Sequence, residues 1–294
     1  MKRDQPAATV LDAKTLKAWP LPEISADADK EERGAILVVA GSREIPGAAL
    51  LAATAALRAG AGKLVMATAA SVAGGVALLM PEARVIALPE TSEGGLDAGG
   101  VRLLQKVAPT CSAAVIGPGL MDEESSVGFV AVLLPWLAHG PVVLDALAMD
   151  VAMSMAPFDQ PVLLTPHAGE MAHLTGRDKA EVAAHPQDAA LQAARRWNAV
   201  VALKGATTVI AAPDGRLWTH RIGEAGLATS GSGDTLAGII GGLAARGAAL
   251  EQACAWGIVL HAEAGARLAS KGPLGFLARE LPAQVPAVLH QLCS

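Results

Sequence analysis

Residues 34–46 read Gly34-Ala35-Ile36-Leu37-Val38-Val39-Ala40-Gly41-Ser42-Arg43-Glu44-Ile45-Pro46. The run from Ala35 to Ala40 is apolar without alternation and stops at a Gly-Ser turn. A strand with one wet face alternates polar and apolar residues; an unbroken run is what a strand buried on both faces requires, as in a parallel sheet covered by helices. Pro46 then stands where a helix begins, because its missing N–H costs nothing in the first turn. Leu50, Leu51, Thr54 and Leu57 carry that helix to a glycine stop at Gly60.

The same unit repeats outward from this stretch. Lys63 to Thr68 reads as a strand, the next dozen residues as helix, and Arg84 to Leu88 as a strand again. Ala113 to Ile116 is a strand ending in Gly117-Pro118-Gly119. Ser126 to Ala138 is helical, Pro141 to Asp145 extended, and Val162 to Thr165 extended with a helix opening near Pro166 or His167. Val200 to Leu203 is a strand reaching Lys204-Gly205. Strands alternating with helices predict right-handed crossovers and a mostly parallel sheet with helices on both faces, an α/β fold. The alternation changes once: Thr207 to Ala211 and Arg216 to His220 flank Pro213-Asp214-Gly215 as a β-hairpin. Helices over about Asp234 to Ala245 and Leu250 to Ser270 follow. No linker divides the chain, so residues 31–294 are expected to form one domain, with residues 1–30 as an N-terminal arm or short helix leading in.

Composition narrows the class. Hydrophobic residues are 52% of the chain but aromatic ones only 3%, so the core is built from Ala, Val, Leu and Ile. A net charge of −5, without a run of Lys or Arg, argues against a nucleic-acid surface. The mean hydropathy of +0.40 is high, yet charge or proline interrupts each apolar stretch short of the roughly 20 residues a membrane span needs. Cys111, Cys254 and Cys293 are odd in number and widely spaced, which suits reduced thiols rather than a disulfide framework or a C-x-x-C metal site. With no secretory leader in the polar N-terminal residues, the expectation is a cytoplasmic protein free of membrane partners.

The chemistry concentrates in Ser230-Gly231-Ser232-Gly233-Asp234-Thr235-Leu236-Ala237-Gly238. Leu236, Ile239, Ile240 and Leu243 recur at helical spacing, so a glycine loop opens a helix here. Unpaired N–H groups and the positive end of the helix dipole at such a start attract phosphate. Asp234 beside it can receive a proton, a pairing that suits phosphoryl transfer to a hydroxyl. The dipole favours the ionised carboxylate, which keeps it an acceptor but a weaker base. The plain alternative is that Ser232 or Asp234 merely caps the helix. The spacing is not the dinucleotide-binding G-x-G-x-x-G, and no P-loop occurs. Parallel sheets bind ligands beyond their strand carboxyl ends. Gly41-Ser42, Gly117-Pro118-Gly119, Asp145, Thr165 to Glu170 and Lys204 to Thr207 all fall there. His167, Glu170 and His173 match neither H-E-x-x-H nor H-x-x-E-H, so they do not read as a zinc site. Glu170 fits better as a carboxylate holding magnesium through its waters.

Four segments carry a resemblance: Gly34 to Gly62 (GAILVVAGSREIPGAALLAATAALRAGAG), Thr165 to Leu174 (TPHAGEMAHL), Leu203 to Ile210 (LKGATTVI) and Ser232 to Gly242 (SGDTLAGIIGG). Together, and in this order, they resemble the ADP/ATP-dependent NAD(P)H-hydrate dehydratase family, a ribokinase-like domain, here in the form without the epimerase domain of the bifunctional enzymes. The resemblance implies that nicotinamide cofactors hydrated at C6 are restored to NADH or NADPH. The implied route is phosphorylation of the hydrate hydroxyl and elimination of phosphate, at the expense of ADP or ATP with Mg²⁺. It implies hydrate contacts at Ala49 (or Ala48), Gly119, His167 and Asp234, with Asp234 catalytic. The nucleotide falls to Lys204, Gly205, Ala206, Thr207, Thr208, Gly231, Ser232 and Gly233. A homo-oligomer is also expected, a tetramer among the options.

The chain departs from the family pattern in places. Leu147 stands where a second acid is usual, Glu224 where Asn is usual and Ser230 where Gly is usual, and Asp29-Lys30-Glu31-Glu32 reduces the usual His-Lys-Gly-Asp. Glu224 puts negative charge near a phosphate site, which needs a cation to offset it. A small-molecule kinase of the same fold, or a diverged nucleotide-binding paralogue without activity, would share the glycine loop.

Overall fold

The apolar runs become strands of one sheet. A computed structural model of the chain describes residues 7–25 and 27–293. In chain order its strands are β1 (Thr9–Val10), β2 (Ala35–Val39), β3 (Lys63–Ala69), β4 (Ala83–Leu88), β5 (Ala113–Ile116), β6 (Val142–Leu144), β7 (Val162–Leu164), β8 (Val200–Leu203), β9 (Thr207–Ala211) and β10 (Leu217–Arg221). They lie across the sheet in the order β1-β10-β9-β8-β7-β6-β5-β2-β3-β4. Every neighbouring pair from β4 to β8 is parallel. The β9–β10 hairpin closes the row antiparallel, as its turn residues predict, and β1 pairs parallel to β10.

The helices are α1 (Ala13–Lys17), α2 (Pro46–Arg58), α3 (Ala70–Leu79), α4 (Glu123–Leu133), α5 (Ala152–Met155), α6 (Ala168–Thr175), α7 (Lys179–Ala184), α8 (Pro186–Trp197), α9 (Ser232–Ala245), α10 (Leu250–Ala269) and α11 (Leu281–Cys293). Strand alternation distributes the opening stretch between two cores. Ile36 and Val38 face one core with Ala52, Ile239 and Ile258 from α2, α9 and α10. Leu37 and Val39 face the other with Phe129, Leu133 and Trp197 from α4 and α8. Both faces are therefore dry, which is why the run never alternates.

Small residues let α2 and α9 approach. A Cβ on Gly238 would lie 2.2 Å from the Ala52 carbonyl oxygen, and one on Gly242 2.3 Å from that of Ala56.

Two helices differ from the sequence expectation, while the lead-in carries a short helix, α1, as expected. The helix expected over 126–138 starts earlier, because the Asp122 carboxylate accepts from the Ser125 N–H as an N-cap, and it tightens to a 3₁₀ turn over Leu134–Leu137, where Pro135 has no N–H to give. Helix α11 was masked in the sequence by Pro282 and Pro286, yet Leu281, Val285, Val288 and Leu292 form its buried stripe. The lead-in over 1–30, in its described residues, is bound into the sheet edge. Trp19 stacks on Trp218 with ring centroids 5.6 Å apart, and its carbonyl accepts from the Trp256 indole at 2.8 Å. Residues 1–6 of that lead-in lie outside the described residues.

Candidate active site

Three adjacent strands deliver three polar side chains to one point. Asp145 follows β6, Thr165 follows β7 and Lys204 follows β8. The Thr165 hydroxyl donates to Asp145 Oδ1 at 2.6 Å, and Lys204 Nζ donates to the same oxygen at 3.1 Å. Asp145 begins a 3₁₀ turn but makes no side-chain cap bond there, so its carboxylate serves this cluster. Burial works against the Lys204 charge, but Asp145 and Glu170 outweigh it and hold the lysine proton above the ordinary range.

The TPHAGE segment turns the chain out of β7 into α6 by a reciprocal cap. His167 Nδ1 accepts from the Gly169 and Glu170 N–H groups at 3.0 and 3.1 Å. Glu170 Oε2 accepts from the His167 N–H at 2.7 Å. With Nδ1 accepting, a neutral His167 carries its proton on Nε2. Glu170 is thereby fixed 3.9 Å from Lys204 Nζ. His173, one turn further on, instead faces Asp150, with Nε2 3.5 Å from Oδ1, so His167, Glu170 and His173 do not converge as metal ligands.

The glycine loop opens α9 with Gly231 as N-cap at φ +86°, a conformation side chains disfavour; a Cβ there would also strike Leu51. Asp234 sits in the first turn, the N-cap itself being a glycine with no side chain, and the Thr235 hydroxyl donates back to the Gly231 carbonyl at 3.0 Å. Burial, helped by the Asp145 charge and opposed by Lys204, pushes the Asp234 pKa up to about 6. The helix dipole was expected to keep this carboxylate a strong acid; desolvation wins. Ser232 Oγ lies 3.0 Å from His261 Nε2 on α10. Burial lowers the His261 pKa to about 4, so the ring is neutral at physiological pH.

These groups line a cavity of about 830 Å³. Asp145, His167, Glu170, Lys204, Ser232 and Asp234 supply its polar wall, and Ile222, Leu227, Leu236 and Ile258 its apolar wall. Gly205, Ala206, Thr208 and Gly233 complete the set of sequence-predicted residues brought here. Thr207 is not in the lining: it is exposed while Thr208 is buried, as strand alternation demands. Ala49 and Gly119 are also outside it. Gly119, at φ +67°, approaches Ala48 so closely that a Cβ would lie 2.6 Å from the alanine methyl, and Ala49 packs near Gly41, where a Cβ would lie 3.2 Å from the Ala49 methyl. Gly231 shapes the turn behind the cavity. Sequence reasoning missed Ile222, Leu227, Ile258 and His261, since an apolar residue or lone histidine in a helix carries no local sign of facing a ligand.

Among the described residues Lys204 is the only Lys or Arg in the cavity wall, against the carboxylates of Asp145, Glu170, Glu224 and Asp234. The apolar wall suits a heterocycle and the glycine loop suits phosphate. A polyphosphate entering this acidic wall needs a cation with it.

A family model described as NAD(P)H-hydrate dehydratase matches residues 36–287. The chain belongs to the NAD(P)H-hydrate dehydratase family. It is 50% identical over 288 residues to an ADP-dependent (S)-NAD(P)H-hydrate dehydratase of Xanthomonas campestris, covering 98% of each chain. It spans about half the length of the bifunctional NAD(P)H-hydrate repair enzymes that it also matches. Among solved structures, the ADP/ATP-dependent NAD(P)H-hydrate dehydratase of Bacillus subtilis, co-crystallised with ATP and Mg²⁺, superposes with a TM-score of 0.83. It is 32% identical, over 98% of this chain and 99% of that one. A ribokinase-like superfamily protein of Enterococcus faecalis shares the fold at the same TM-score, 22% identical over 99% of each chain. The fold of this family member is ribokinase-like. Of the departures from the family pattern, Leu147 packs against the apolar core, Ser230 lies outside the cavity wall, and Glu224 is within it.

Proposed function

We propose that this chain restores NADH and NADPH from their hydrates at the expense of ADP or ATP, with Asp234 as the catalytic base. The observation that carries this reading is the pairing of a half-buried carboxylate of pKa about 6 with an open helix N-terminus, both facing one cavity. A base poised near neutrality takes the hydroxyl proton of the hydrate as its oxygen attacks the terminal phosphoryl group of ADP or ATP, whose P–O bond breaks to release AMP or ADP. The first N–H groups of α9 and the Lys204 ammonium stabilise the charge on the transferring group. Phosphate then leaves with the C–O electron pair, far more readily than hydroxide, and the proton on the adjacent ring carbon passes to solvent as the double bond is restored.

In this scheme Asp145 and Thr165 hold Lys204 in place, and Lys204, Gly205, Ala206, Thr207, Thr208, Gly231, Ser232 and Gly233 serve the nucleotide. Ala49, Gly119 and His167 serve the hydrate. The carboxylates of Glu170, Asp145 and Asp234 near Lys204 are hard oxygen donors that fit Mg²⁺, with Glu170 holding it through water. Magnesium supplies charge neutralisation for the phosphates. We further propose residues 31–294 as the catalytic domain, a cytoplasmic location supported by three free cysteines, and self-association supported by the exposed Leu78 and Leu79 of α3.

The test is incubation with chemically hydrated NADH, Mg²⁺ and either ADP or ATP, following recovery of NADH absorbance. Failure to recover NADH with both nucleotides refutes the activity.

A further inference from the structure

Away from the cavity wall, three side chains with ligand atoms converge from three elements. Glu123 opens α4, Asp150 lies in the 3₁₀ turn that follows Asp145, and His173 lies in the last turn of α6. One ligand atom from each lies within 4.8 Å of the other two. Asp150 is 6% exposed, yet no backbone N–H or hydroxyl donates to its carboxylate among the described residues; its one ionic partner is His173 Nε2 at 3.5 Å. A buried carboxylate ordinarily has several donors, and the neighbours here are wrong for it. Glu123 and Glu170 add negative charge, both working with burial to raise the Asp150 pKa, against a single imidazole.

We propose that Glu123, Asp150 and His173 form a site for a transition-metal ion of the Zn²⁺ type. Two carboxylate oxygens and an imidazole nitrogen are a donor set such ions accept, whereas Mg²⁺ favours oxygen alone. The Asp150–His173 separation of 3.5 Å is close to that of two ligands on one tetrahedral ion. Glu123, which is exposed, closes the third position by a side-chain rotation. The site ties α4 and α6 to the turn between them. Asp150 stands five residues after Asp145 and His173 three after Glu170, so a bound ion fixes the two segments that carry catalytic-cavity carboxylates.

The site is tested on chelator-treated full-length protein, titrated with Zn²⁺ by calorimetry and with Co²⁺ by visible absorption. The expected result is one ion per chain with a thermal stabilisation, and cobalt bands without a sulfur charge-transfer band, which keeps Cys293 out of the coordination. His173→Gln and Glu123→Gln, both at exposed positions, should weaken binding at least tenfold while circular dichroism stays that of the parent. Asp150→Asn should abolish it. His139→Gln, at an exposed histidine elsewhere, should leave affinity unchanged. Absence of saturable binding, or equal binding by the parent and by His173→Gln and Glu123→Gln, overturns the site and leaves His173 as the simple ion partner of Asp150.

Discussion

Asp234→Asn separates the roles open to this residue, because a base predicts lost turnover with stability kept or raised, whereas a cap, which asparagine replaces about as well, predicts little change in either. The folded protein holds the Asp234 pKa at about 6 against an ordinary value of 3.8. About two pKa units at 1.36 kcal/mol each make the ionised side chain cost up to about 3 kcal/mol of stability at neutral pH, less whatever solvent screening relieves at this part-buried site. Asparagine is close in shape and cannot ionise, so the variant should be as stable as the parent or more so. The sign with pH follows from the raised value. The folded state binds the proton more tightly than the unfolded state, so the cost is fully present above pH 6, shrinks as pH falls, and vanishes below the unfolded value. Denaturation at about pH 7 should therefore show the larger gain, and at about pH 4 little or none. Turnover should fall by about 10²–10⁴-fold, the usual contribution of a general base, while ADP still binds. In the parent, kcat/KM should decline about tenfold per pH unit below about pH 6, where the base becomes protonated. Near-normal turnover of Asp234→Asn, as expected of a cap that asparagine replaces, or the absence of any stability gain at about pH 7 over about pH 4, would refute this reasoning.

Lys204→Met leaves the nearly buried Asp145 carboxylate with a hydroxyl partner alone, so stability should drop by about 3–5 kcal/mol, and the acidic limb of the rate profile should move upward because Asp234 loses the cation that lowers its pKa. A loss below about 1 kcal/mol would make the pair no stronger than an exposed one. Gly233→Leu should weaken ADP binding at least tenfold by calorimetry with the fold intact, since a Cβ there meets only Lys204 Nζ at 3.5 Å; unchanged affinity would remove the nucleotide from this loop. Gly238→Ala should destabilise by about 1–3 kcal/mol by forcing α2 and α9 apart, whereas Gly47→Ala, with open space around it, should change stability little.

The sequence alone determined whatever depends on near neighbours along the chain. The unbroken run at Ala35–Val39 required two dry faces, Pro46 and Gly60 marked a helix, Pro213-Asp214-Gly215 a hairpin, and Ser230 to Gly238 a glycine loop opening a helix. Those are consequences of backbone sterics and side-chain period, which a few consecutive residues settle. The resemblance carried by four segments extended that to a family. Tertiary structure decided what depends on distant residues and on the medium around them. Asp145 and Lys204 are 59 residues apart and meet only because β6, β7 and β8 are parallel neighbours. His261 reaches the cavity only because α10 packs beside α9, and Asp150 finds His173 only through the placement of α6. The Asp234 pKa reversed the local expectation, since the dipole of its own helix is a property of the sequence nearby, while the burial that overrides it is supplied by segments folded around it.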